Sequence, residues 1–201
     1  MKRPDFDPHM DLAVAAGVLT PEQVVDYNNG NNAYKGIRHQ YKTTNYACIY
    51  GAKAKRIARE LGISVKDAQE LIDVYWKRNK SVLKIAEDCE VVTVDGNKWL
   101  YNPVSKFFYH LKVDKDRFST LNQGTGSYIF DRWMYYILQK YDLVCAQFHD
   151  EGVFPCKDDE QSKDRLSFIL KEAIERVNKS LRLNRDMDID IQFGDNYAEV
   201  H

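Results

Sequence analysis

Residues 38 to 51 read Arg-His-Gln-Tyr-Lys-Thr-Thr-Asn-Tyr-Ala-Cys-Ile-Tyr-Gly, and the spacing of cations and rings in this run decides how the rest of the chain is understood. As a helix, the run sets Arg38, Lys42, Tyr46 and Tyr50 at steps of four. Each step turns a helix by about 400°, so successive side chains lie roughly 40° apart and form one slanted stripe about 18 Å long. Two cations occupy one end of the stripe and two aromatic rings the other. A triphosphate tail needs cations, whereas a base and its sugar need flat apolar surface. The order cation, cation, ring, ring is therefore the order a bound nucleoside triphosphate would demand. The competing reading is an amphipathic helix with a solvated basic edge and tyrosines dipping into a core. Gly51 follows at once as a C-cap or hinge.

Three further stretches bear on that choice: Asp7-Pro8-His9, Gln147-Phe148-His149-Asp150-Glu151, and the ending Gly194-Asp195-Asn196-Tyr197-Ala198-Glu199-Val200-His201. With the pattern R-x3-K-x3-Y-x3-Y-G at Arg38 to Gly51, they resemble, in the same order, the motifs of the A family of DNA polymerases, which includes bacterial polymerase I and several phage replicases. The first stretch is similar to the family's D-x-H, the second to its palm motif Q-V-H-D-E, and the third to its usual C-terminus, down to the final histidine. Four motifs in order cover nearly the whole chain.

Size and composition set bounds. A chain of 201 residues, 44% of them hydrophobic, can bury a sizeable core and suits one large or two small domains. Its net charge of −1 is unevenly spread: between Tyr34 and Ser81 there are 11 Lys or Arg against 4 Asp or Glu, leaving 18 against 26 elsewhere. A basic half beside an acidic half fits a nucleic acid and nucleotide partner meeting a metal-binding region. Cys48, Cys89, Cys145 and Cys156 have no metal-ligand spacing, so reduced thiols in a cytosol are expected. No apolar run approaches the ~20 residues of a membrane span and no signal peptide opens the chain, so a soluble cytoplasmic protein is expected (in a host cytoplasm if phage-encoded), with no membrane partner.

Taken in order, the chain reads as a short helix after Pro8, then a second with Thr20 at its N-cap, Pro21 at N1 and Gln23 at N3. Asn28 to Asn32 is a turn, and the helix of about 34–51 follows. Helix continues from Ala52 to Leu61, breaks at Gly62, and restarts after Ser64 as one long helix to about Asp88, with Val65, Ala68, Ile72, Tyr75, Val82 and Ala86 inward. Val91 to Tyr101 reads as a hairpin turning at Asp95-Gly96, and Val104 to Lys115 as a loop. Ile129, Phe130, Trp133, Met134, Ile137 and Leu138 share one helical face. Leu143 to Phe148 and Gly152 to Cys156 read as strands joined at His149-Asp150-Glu151, where a sheet would fix the backbone while the tip meets water. A helix from about Asp159 to Leu181 turns Leu166, Ile169, Leu170, Ala173, Ile174 and Val177 inward. Asp188 to Phe193 alternates as a half-buried strand should.

The resemblance implies an α+β fold: mostly helical fingers over residues 1–89, then a partial palm over 90–201 with a small antiparallel sheet and packed helices. It implies that His9, Arg38 and Lys42 hold nucleotide phosphates, that Tyr46 stacks near the base and sugar, and that Tyr50 lines the pocket. Asp150 would bind metal with Glu151 assisting, the cofactor being two Mg2+ ions, while Gln123 and His149 would touch the primer-template end. Asp150, Glu151, Lys42 and Arg38 would thus be the catalytic set, and the activity DNA-directed DNA polymerisation from deoxynucleoside triphosphates. Where the family has Asn and Arg before the Q-G-T of Gln123-Gly124-Thr125, this chain has Ser119 and Lys115. The family's first palm motif, D-Y-S-x-I-E, has no counterpart before His9, and thumb and exonuclease are also missing. A second polymerase chain supplying that aspartate and the thumb is therefore expected, as in a split, phage-encoded enzyme. The alternatives are an inert nucleotide- or DNA-binding remnant and a non-catalytic module. The His-Asp pair also suggests metal-dependent phosphohydrolases, but His9, His39, His110 and His201 have no paired spacing to complete such a site.

Overall fold

The fold, described by a computed structural model for residues 6–183 and 185–200, is α+β and divides into two compact units. One takes the chain up to Tyr101 together with Phe108–Leu121; the other takes Asn102–Phe107 and the chain from Asn122 onward. The small three-stranded sheet falls in the first unit, with the helices that precede it. His201 lies outside the described residues, so the family-like final histidine has no structural account.

The first unit begins with α1 (Pro8–Ala15), capped by Asp7, and α2 (Pro21–Asn28). Both halves of the expected capping box form, with Gln23 N–H donating to Thr20 Oγ1 and Thr20 N–H to Gln23 Oε1. After a 3₁₀ turn comes α3 (Lys35–Ile49), whose face Tyr41, Thr44, Ala47 and Cys48 is buried. Tyr50 is its C-cap, one residue past the helix, and Gly51 follows with φ +71°. Gly51 N–H donates to Cys48 O and Ala52 N–H to Ala47 O, the paired bonds of a left-handed helix stop that glycine permits without strain. α4 (Ala54–Leu61) and α5 (Val65–Arg78) complete a core of Met10, Leu12, Ala13, Tyr41, Ile57, Leu71 and Tyr75, among others. Burial there pushes the Cys48 thiol up to about 12, and burial with the neighbouring Cys48 does the same to the Tyr75 phenol.

The long helix expected from Ser64 to Asp88 is two. At Asn79 (φ −102°, ψ 35°) the backbone leaves helical geometry, and the Asn79 side chain donates to Tyr75 O at 2.8 Å. Asparagine offers its own hydrogen bond to the preceding turn, which competes with helix continuation. α6 (Lys80–Asp88) follows with no fully buried residue, so Val82 and Ala86 are only half-buried; Val65 at the start of α5 is exposed. The apolar stripe is core only for Ala68, Ile72 and Tyr75.

β1 (Val91–Val94) and β2 (Asn97–Tyr101) form the expected hairpin, with Asp95 and Gly96 at positive φ as a primed two-residue turn requires. A third strand, β3 (Phe108–His110), pairs antiparallel with β2 where the sequence suggested only loop. Its three residues are too few to establish a period, but Leu100 beneath the sheet and Leu111 just after β3 are almost fully buried. Asp114 ties down the following turn by accepting from Lys98 and from Arg117.

In the second unit, α7 (Arg117–Leu138, from Asn122 on) packs on α8 (Glu160–Leu181). All six residues expected inward on α8 are buried, and they meet Phe130, Trp133, Met134 and Ile137, while Leu138 is exposed. Trp133 Nε1–H donates to Leu170 O at 3.1 Å, satisfying the one polar atom of a buried indole. β4 (Ala146–Phe148) and β5 (Glu151–Val153) pair antiparallel, shorter than the runs that suggested them. Asp188 to Phe193 belongs to no strand: Ile189 and Ile191 do lie against the core, but no described residue pairs with this backbone. Alternation specifies a face; a strand also needs a ladder partner. Among the described residues no helix is long and apolar enough to cross a membrane.

Ile137 is fully enclosed between α7 and α8. Ile137→Ala should therefore lower stability by about 2–5 kcal/mol, read from the shift of a urea unfolding midpoint. An unchanged midpoint would contradict this packing.

Candidate nucleotide and carboxylate sites

In the first unit the polar face of α3 meets the start of α1. Asp7 accepts at one carboxylate oxygen from the His9 and Met10 amides (2.8 and 3.2 Å) and at the other from Arg38 Nε at 2.5 Å. One side chain thus caps α1 and holds a cation 31 residues further on. Burial works to raise the Asp7 carboxyl, but Arg38 and the two amides outweigh it and hold the group below the usual carboxylate range. Asn45 Nδ2 adds bonds to Tyr41 O and Pro8 O, joining the same two helices.

The His9 ring lies 6.0 Å from the Tyr46 ring at a tilt of 50°. Its Nδ1 is buried without a hydrogen-bond partner among the described residues. Burial lowers the His9 pKa; Asp7 opposes the shift, and the Arg38 and Lys42 charges add to it. Lys42 is exposed, and Tyr46 and Tyr50 are each about half exposed, at 50% and 44%. The expected cations, His9 and Tyr46 are therefore brought onto one solvent-facing surface, with Tyr50 at the cap. Asp7, named in sequence only as part of D-x-H, is the residue whose role was missed. Its signal was local: an aspartate directly before a proline is an N-cap followed by N1.

In the second unit the two-residue tip of β4–β5 carries His149 and Asp150, both exposed, and Glu151 opens β5 half-buried. The C-terminal segment returns to this hairpin. Phe148 and Tyr197 rings stand 5.6 Å apart, and partial desolvation, the Glu151 charge and a hydrogen bond to Glu151 push the Tyr197 phenol up. That segment is itself built: Glu199 accepts from Asp195 N–H and from the Asn196 side chain. Tyr197 as a partner of Glu151 was not legible from spacing, since 46 residues separate them in sequence. Gln123 is exposed on α7, and in the neighbouring Thr125 the hydroxyl accepts from buried Asn102 at 2.9 Å. Asn102 Oδ1 in turn accepts from Val104 and Ser105, so a buried polar node anchors the 102–107 loop beside the Gln-Gly-Thr run. Ser119 is used internally, donating to Asp116 O.

Asp150 is a hard oxygen donor at the water-facing tip, and Glu151 is a second, half-buried one at the start of β5. Mg2+ commonly binds through one or two carboxylates plus substrate phosphates and water, so this pair fits such an ion. No group of three His, Cys, Asp or Glu disposed to hold a metal occurs among the described residues. The two sets of candidate residues belong to different compact units.

Comparison with known proteins gives the class. The model of DNA polymerase family A matches residues 18–199, and the chain belongs to that family. Asp7 and His9 precede the matched span. The chain is 29% identical over 181 residues to DNA polymerase I of Pseudomonas aeruginosa and 24% identical over 181 residues to DNA polymerase I of Caldicellulosiruptor bescii, with 82% of the chain covered in each case. It spans only 19% and 21% of those relatives, about a fifth of their length. Among solved structures it is similar to the polymerase domain of Pol1 from M. smegmatis in complex with DNA primer-template and dNTP. There the TM-score is 0.60 and identity 19%, over 85% of this chain and 31% of that one. That likeness speaks for the fold.

His9 should titrate below the ordinary 6.5 in the folded protein. The unfolded chain then binds a proton that folded His9 resists, so stability should fall as pH drops from about 6.5 until the folded imidazole is also protonated. NMR titration of the His9 ring checks this; a midpoint at or above 6.5 would contradict it.

Proposed function

We propose that the chain is the fingers and partial palm of a template-directed DNA polymerase, adding deoxynucleotides to a primer 3′ end. The observation that carries this reading is the shared surface of His9, Arg38, Lys42 and Tyr46, built by α1 and α3. Residues 1–89 would serve as fingers and 90–201 as the palm portion. Arg38, Lys42 and His9 bind the β and γ phosphates and offset charge on the departing pyrophosphate. Tyr46 stacks near the incoming base and sugar, and Tyr50 lines the pocket of the nascent pair. Gln123 and His149 touch the primer-template end. Asp150 and Glu151 would hold Mg2+, two ions in the assembled enzyme, which when bound supplies Lewis-acid stabilisation of oxygens at the reacting phosphorus. Tyr197, bonded to Glu151, orients that carboxylate.

Among the described residues the hairpin tip and the start of β5 carry two carboxylates, Asp150 and Glu151; a second polypeptide is proposed to bring a further aspartate and a thumb, as in a phage-encoded split enzyme working in a cytoplasm. The same observation supports a second reading, a catalytically inert nucleotide- or DNA-binding remnant. Primer extension by the chain mixed with candidate partner chains separates them: synthesis only in the mixture supports the split enzyme, and nucleotide binding without synthesis in any mixture supports the remnant.

In the active mixture, Lys42→Ala should raise the KM for deoxynucleotide and lower turnover. Asp150→Ala should abolish turnover while nucleotide binding stays largely intact. Full synthesis by Asp150→Ala would remove the metal assignment.

A further inference from the structure

We infer that Asp7 is the positioning residue of the phosphate clamp, acting through Arg38; this rests on the nucleotide-site reading above. Three observations carry it. Asp7 Oδ1 fixes the His9 and Met10 amides, while Oδ2 takes Arg38 Nε at 2.5 Å, so one carboxylate sets the start of the His9 helix and the Arg38 side chain together. The contact uses Nε, which leaves the two terminal nitrogens as a fork for a phosphate. Asp7 is also the less exposed partner, at 16% against 34% for Arg38, as expected of a group that holds rather than one that meets the ligand.

A free arginine must be ordered by its ligand, and that ordering is charged against binding. A guanidinium already held in place escapes most of the loss. Asp7 does not touch the nucleotide in this arrangement. Its negative charge would by itself repel a triphosphate, so a net contribution to affinity must come through geometry. The sign of the effect therefore separates positioning from simple field.

The test is a double-mutant cycle on triphosphate affinity, using the full chain titrated with a deoxynucleoside triphosphate in Mg2+ buffer. Asp7→Asn is the main variant, because asparagine caps a helix about as well as aspartate, while it removes the charge and puts an amide donor where Oδ2 accepted from Arg38. It should weaken binding about three- to tenfold, the factor for leaving one long side chain to be ordered by the ligand. In an Arg38→Ala background the same substitution should cause no loss of affinity, leaving only the small gain from removing a repelling charge. Asp7→Ala should lose at least as much affinity as Asp7→Asn and, lacking the cap, also lower the melting temperature.

Tighter binding by Asp7→Asn, or an equal loss with and without Arg38, would overturn the inference while Arg38→Ala and Lys42→Ala still weaken binding. If Arg38→Ala and Lys42→Ala both leave affinity unchanged, or the wild-type chain binds no triphosphate, the nucleotide-site reading itself fails and this inference with it.

Discussion

Helix α3 can offer cations and rings to water only because its opposite face is closed off. Fifteen residues are too few for a stable helix alone, so its persistence depends on burying Tyr41, Thr44, Ala47 and Cys48 among Met10, Leu12, Ile57 and Tyr75. Magnitudes assign the roles. A buried Leu, Ile or Met contributes roughly 1.5–3 kcal/mol, whereas a partly exposed ion pair adds about 1 kcal/mol or less. The apolar face therefore holds the helix in place, and the Asp7–Arg38 pair decides where one side chain sits on it. Site and core are two faces of one helix, and a change on the hidden side would reach the exposed one.

The carboxylate hairpin obeys a different constraint. Two strands of three residues are marginal in isolation. Here they are held from beyond both ends: Phe154 stacks edge-on against Trp133 at 6.1 Å, and Tyr141 donates to Pro155 O. Tyr197 closes over the Phe148 and Glu151 side. The tip itself is left to solvent, with Asp150 exposed on a backbone whose surroundings are packed. Such a tip positions an oxygen donor without sacrificing its hydration.

What the sequence disclosed follows from the range of the interactions involved. The inward face of α8, the Thr20–Gln23 box and the Asp95-Gly96 turn are set within a few residues, and periodicity or capping chemistry declares them. Gly51 was legible as a C-cap or hinge, but the chain does not stay helical from Ala52: α3 ends at Ile49 and α4 starts at Ala54. The break at Asn79 was local too, but asparagine's competition with the helix is weak and an apolar stripe ran past it. β3 and the unpaired Asp188 to Phe193 segment turn on the presence or absence of a partner strand, which no single stretch encodes. Within the site, the cation-ring order of α3 was readable along one helix. The Asp7–Arg38 and Tyr197–Glu151 links were not, since each joins residues distant in the chain through side chains alone.

The depth of Cys48 has a practical corollary. Its thiol is enclosed and hard to ionise, whereas Cys145, just before β4, is exposed; Cys89 and Cys156 lie between these extremes. Thiolate is the species that reacts with maleimides and iodoacetamides. Mild alkylation should thus decorate Cys145, just before the hairpin, first and leave the helical core unmodified. A fluorophore attached that way would report on the acidic tip without disturbing the interior that supports α3.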